Sequence, residues 1–143
     1  MSTSPKPTAL TALRLGFALL AAAAVNTAIA LGALALDDGG IAMGLNPASY
    51  LPATAAGLLL GTIGWFVLAR RAPHALRVVV PAALVLTWVP DLLLFGAGAT
   101  AANVFGLMLM HLVVTTAVVT ALRPTLAPAA HPQPVATADQ LQN

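Results

Sequence analysis

The sequence predicts an all-α integral membrane protein: an up-down bundle of four helices, with both termini on the cytoplasmic side. Three observations lead there. Four apolar stretches, interrupted by a single ionisable acid at Asp91, are each long enough to cross a bilayer. The composition, 59% hydrophobic and 7% charged with a mean hydropathy of +0.92, leaves too little polar surface to enclose a water-facing domain, for which about a quarter charged residues is usual. Finally, all six basic residues fall on one side of the four-span thread.

Residues 1–10 (MSTSPKPTAL) are polar and proline-bearing and read as a mobile tail, with Thr11 a suitable N-cap for the first helix. Leu15 to Leu36 is an uncharged run of 22 residues, roughly 33 Å as a helix, and forms the first span. A cleaved signal peptide is the rival, since Lys6 and Arg14 precede the run and Ala28-Ile-Ala30 resembles a cleavage site. The run is longer than the roughly 7 to 15 residues of a signal core, which favours a retained span.

Asp37-Asp38-Gly39-Gly40 and Asn46-Pro47 mark an aqueous loop, and the second span runs over 51–69, with Pro52 in its first turn. A tight basic turn containing Arg70, Arg71, His74 and Arg77 leads to the third span, 78–95. An uncharged glycine turn then leads to the fourth, 102–122. Residues 124–143, rich in Pro and Ala, read as a disordered C-terminal tail that includes His131. No internal repeat is visible. The positive-inside pattern puts Lys6, Arg14, the Arg70–Arg77 turn and Arg123 in the cytoplasm, and the expected location is the inner membrane of a bacterium.

Counting at 1.5 Å per residue from the basic ends puts Asp91 roughly 21 Å up its helix, and His111 and Asn26 roughly 18 Å up theirs. Thr87 lies four residues before Asp91 and shares its helical face, while Asn103, His111 and Thr115 fall on one broad stripe of the fourth span. Pro90 removes one backbone donor, which frees the carbonyl of Leu86 and favours a kink. Asp91, His111, Asn26 and Thr87 are therefore expected to form an intramembrane polar cluster. It acts either as a proton or ligand site, the usual meaning of an ionisable group at that depth, or as interhelical glue. Gly57, Gly61 and Gly64 mark a face of the second span suited to close helix packing. Packing within the chain is favoured there over a dimer seam.

The absence of cysteine excludes disulfides, thiol chemistry and thiolate metal sites. No phosphate-binding loop, nucleophile elbow, zinc-protease or dinucleotide fingerprint occurs, so no enzyme, metal or cofactor is expected. A haem on His111 with Met108 or Met110 would need a second chain for bis-histidine ligation and is set aside. Six basic residues do not make a nucleic-acid surface. Arg70, Arg71 and Arg77 also suit anionic lipid headgroups, although orientation alone accounts for them. The partners expected are the lipid bilayer and either a second copy or a membrane protein. The function read from the residues is association, with proton-linked transport through Asp91 and His111 as the alternative. Small four-span multidrug exporters place an essential glutamate in their first span, and this chain has no glutamate.

Thr11-Ala-Leu-Arg14, Asn26, Pro90-Asp91 and Met110-His111-Leu-Val-Val together resemble an actinobacterial family of small four-span membrane proteins classed as a domain of unknown function. The resemblance covers roughly residues 8–123. It implies a four-helix protein of the plasma membrane and supplies no activity, substrate or catalytic residue.

Overall fold

The computed structural model describes residues 7–126 and contains four long helices and, among the described residues, no strand. They are α1 (Pro7–Leu36), α2 (Pro47–Arg71), α3 (Leu76–Leu93) and α4 (Ala101–Leu122), with short 3-10 segments at Pro73–Ala75, Leu94–Ala97 and Arg123–Leu126. Each is long and apolar enough to cross a membrane, as the sequence predicts. Residues 1–6 of the expected N-terminal tail and 127–143 of the C-terminal tail lie outside the described residues.

Two helix starts differ from the sequence expectation. α1 begins at Pro7, so residues 7–10 are helical and Thr11 is inside the helix rather than capping it. Proline fits the first helical position because its missing N–H would be unpaired there in any case. α2 begins at Pro47 for the same reason. Asn46 caps it, its side chain accepting a hydrogen bond from the Ser49 N–H at 3.0 Å, so Pro52 lies inside the helix. α3 continues through Pro81 and Pro90 and then tightens into a 3-10 turn. Gly98, at φ +89, ends that turn in a conformation natural to glycine. Thr100 caps α4 by accepting from the Asn103 N–H at 3.2 Å.

α4 is the hub, packed against all three other helices. Its closest partner is α1, which presents small residues at helical spacing: Ala18, Ala22, Asn26, Ala30 and Ala33 are all buried. The approach is so close that a Cβ on Gly106 would lie 2.8 Å from the Ala33 Cβ. Gly57 and Gly61 of α2 meet Val114 and Val118 of α4 in the same way, so this glycine face is used for packing within the chain. Gly64 faces open space.

One core cluster lies toward the arginine end, around Leu58, Trp65, Val118 and Leu122, and another toward the Asp37 end, around Ala30, Leu45, Tyr50 and Met110. The outside is apolar. Phe17, Leu20, Leu60, Val78, Leu86 and Leu93 are all at least two-thirds exposed, which suits a hydrocarbon surround. α3 is the least enclosed element: only 6% of its most apolar stretch is buried. It rests mainly on α4 and touches α2 little.

Candidate functional site: a lateral cleft between α2 and α3

The weak contact between α2 and α3 leaves a cleft of about 760 Å³, with α4 as its floor. Three helical stripes line it. α2 contributes Gly57, Gly61 and Gly64, and α3 contributes Val79, Ala83 and Thr87. His111, Val114 and Val118 of α4 form the base, and Asn26 of α1 reaches its edge. Glycines on one wall and alanine or valine on the other keep it wide, and the exposure of Leu60, Val79 and Ala83 shows that it opens sideways to the exterior. A volume in this range is typical of small-molecule sites.

Two polar assemblies lie beside it. In the first, Asp91 is buried, and its Oδ2 is 3.0 Å from His111 Nδ1. The same Nδ1 is 3.0 Å from the Leu107 carbonyl. Nδ1 therefore stands between the Leu107 carbonyl and the Asp91 carboxyl, within hydrogen-bonding distance of both. The His111 side chain is 39% exposed against 9% for Asp91, so the imidazole stands between the cleft and the buried carboxylate. Trp88, one turn before Asp91, donates from Nε1 to the Met108 carbonyl at 3.1 Å and fastens α3 to α4.

The second assembly joins α1 to α2. Asn26 Nδ2 donates to Thr54 Oγ1 at 2.8 Å, and Thr54 in turn donates to the Tyr50 carbonyl at 2.7 Å. The Tyr50 hydroxyl donates to Thr27 Oγ1 at 3.1 Å. Asn26 is 1% exposed, and its Oδ1 has no hydrogen-bond partner among the described residues.

The four residues expected to form one polar cluster are thus divided. Asp91 and His111 pair. Asn26 belongs to the α1–α2 chain of hydrogen bonds. Thr87 is exposed and turns its hydroxyl back to the Leu84 carbonyl, as threonine in an apolar helix commonly does. Counting along the helices gives a shared level but not which way each side chain faces. Asn26, Thr87 and His111 meet only as walls of the cleft.

The sequence reading missed Thr54, Tyr50 and Thr27, although their signal was present: Tyr50 and Thr54 are four residues apart on one face of α2. It also missed a clamp at the Asp37 end. Asp37 accepts hydrogen bonds from the Thr100 hydroxyl and, at 3.0 Å, from the Ala42 N–H. Asn103, fully buried, brackets Met43, accepting from its N–H at 3.0 Å and donating to its carbonyl at 2.9 Å. The segment between α1 and α2 is therefore an ordered cap with Leu45 buried beneath it, and Asn103 serves that cap rather than the His111 stripe. Among the described residues, no three His, Cys, Asp or Glu side chains come together.

Four membrane-crossing helices around a sideways-opening cleft define a small multi-pass membrane protein. A family model described as a family of unknown function, DUF6069, matches residues 6–128, and the chain belongs to that family. Neither the curated proteins nor the solved structures yield a match.

Proposed function

We propose that this is a non-catalytic protein of the bacterial plasma membrane, with both termini cytoplasmic, that works by association within the plane of the bilayer. Its associate enters the α2–α3 cleft from the side. The observation that carries this reading is the cleft itself: about 760 Å³, walled by apolar and small residues and left open because α3 is held almost wholly by α4. A chain whose helices only needed to pack would close such a gap, since lipid-filled space between helices forfeits their mutual van der Waals contact. The orientation is supported by the basic residues at one end and Asp37 and Asp38 at the other.

A nitroxide label on Ala83→Cys tests it, because no native cysteine competes. In the cleft the label meets oxygen freely and a nickel chelate poorly, and its motion slows when lipid is returned to delipidated protein. A label on Leu20→Cys, on the outer face of α1, changes less. Equal responses at the two sites contradict the reading.

A second reading, proton-linked transport, is favoured by the Asp91–His111 contact, in which a half-exposed imidazole links the cleft to a buried carboxylate. In proteoliposomes Asp91→Asn then abolishes proton-coupled flux. Unchanged flux removes Asp91 from any such mechanism.

A further inference from the structure

We infer that the cleft seats the hydrocarbon tail of an anionic phospholipid, whose headgroup lies on the arginine turn that joins the two cleft walls; this rests on the cleft reading above. The dimensions suit a hydrocarbon tail. The α3 wall from Leu76 to Thr87 and the α2 wall from Tyr50 to Leu68 span roughly 17 and 27 Å at 1.5 Å per residue. Both walls are apolar and at least as long as the roughly 15 Å that one leaflet of a 30 Å hydrocarbon core gives a lipid tail, so an extended tail can lie along them.

Charge sets the lipid's direction. Leu68 and Leu76 line the cleft at the end where α2 passes into α3, and between and beside them Arg70, Arg71 and Arg77 are all exposed. The described carboxylates are elsewhere. Asp37 and Asp38 end α1 at the other face, and Asp91 is 14 residues along α3 from Arg77, roughly 21 Å away. The turn thus carries three exposed arginines with no carboxylate beside them among the described residues, a charge suited to a phosphate at the cleft's end.

Trp65 lies five residues inside Arg70, roughly 7–8 Å deeper, the level of a lipid's ester groups. Its side chain lines the cleft and is 6% exposed, and its Nε1 donor has no acceptor among the described residues. The tail of a lipid held by the arginines then passes the Trp65 ring and runs along Gly64, Gly61 and Ala83.

The test reads Trp65 as the difference in fluorescence between the full chain and Trp65→Phe, each reconstituted in phosphatidylcholine vesicles, so that Trp88, which holds α3, is kept. Tail-brominated phosphatidylglycerol at 10 mol% is expected to quench Trp65 at least twofold more than tail-brominated phosphatidylcholine at the same level. Arg71→Gln/Arg77→Gln, which leaves four of the six basic residues in place, removes that preference. Gly64→Leu fills the cleft where a Cβ meets no neighbour, so it leaves the fold intact and lowers quenching by both lipids. Equal quenching by the two lipids overturns headgroup selection but leaves the cleft reading standing. Quenching untouched by Gly64→Leu overturns tail occupancy and the cleft reading together.

Discussion

His111 Nδ1 lies 3.0 Å from both Asp91 Oδ2 and the carbonyl of Leu107, so one imidazole nitrogen ties the acid of α3 to the backbone of α4. With Trp88 on the preceding turn, this is what holds α3, which has little else to hold it. Replacing Asp91 by Ala is expected to destabilise the bundle by about 1–2 kcal/mol, the range for interhelical polar contacts in membranes. In a double-mutant cycle with His111→Gln, read by unfolding in mixed micelles, the two losses should not add. Additive losses would show that the pair is not coupled.

The α1–α2 contact depends on Asn26 and Thr54. Thr54→Val removes the hydroxyl that accepts from Asn26 Nδ2 and leaves a second polar atom of Asn26 unpaired beside Oδ1. A loss of about 1 kcal/mol is expected in the same unfolding assay. Asn26→Leu/Thr54→Val, which removes both partners, should recover part of it.

The glycines differ by position. A side chain at Gly106 meets Ala33 and one at Gly61 meets Val118 at 2.9 Å, whereas Gly64 has free space. Gly106→Val and Gly61→Leu should each lower stability by about 1–3 kcal/mol, the usual range for overpacking. Gly64→Leu should stay within about 0.5 kcal/mol of the parent. Thermal unfolding of the three variants side by side checks the order.

At the Asp37 end, Asn103→Leu deprives Met43 of both its backbone partners. Hydrogen exchange at Met43 and Ala42 should then accelerate at least tenfold while exchange in the middle of α4 is unchanged. Gly40→Ala should have a similar effect, since a Cβ there runs into the Asp37 carboxylate.

Much of the fold is readable from the chain. Long apolar runs bounded by charge mark the four spans. Equal rise along an antiparallel hairpin brings Asp91 to His111, because two helices that start from one basic side climb at the same 1.5 Å per residue. Rotation about each helix axis is not readable in this way. Asn26 shares the level of Asp91 but faces Thr54, and Thr87 shares its helical face only to line the cleft. The ordered cap reads as an aqueous loop for a similar reason. Asp37 has a long-range partner in Thr100, the cap of α4, and Met43 one in Asn103, each about sixty residues away, and nothing local to Asp37-Asp38-Gly39-Gly40 announces them. α1 and α2 start earlier than the apolar runs suggest, because Pro7 and Asn46-Pro47 look like loop, although proline at the first helical position is a start signal.

The open cleft is tested most directly by disulfide formation in the otherwise cysteine-free chain. Gly64 and Ala83 each lie six residues inside the arginine that bounds their helix, Arg70 or Arg77, and face each other across the cleft at one level. A Cβ at Gly64 meets nothing within 4 Å, whereas one at Gly61 lies 3.6 Å from the Val118 Cβ, within the range a disulfide needs. Under mild oxidation in bilayers, Gly61→Cys/Val118→Cys should cross-link readily and Gly64→Cys/Ala83→Cys should not, because a disulfide needs Cα atoms within about 7 Å. Efficient cross-linking of the second pair would mean that α2 and α3 pack face to face, leaving no cleft.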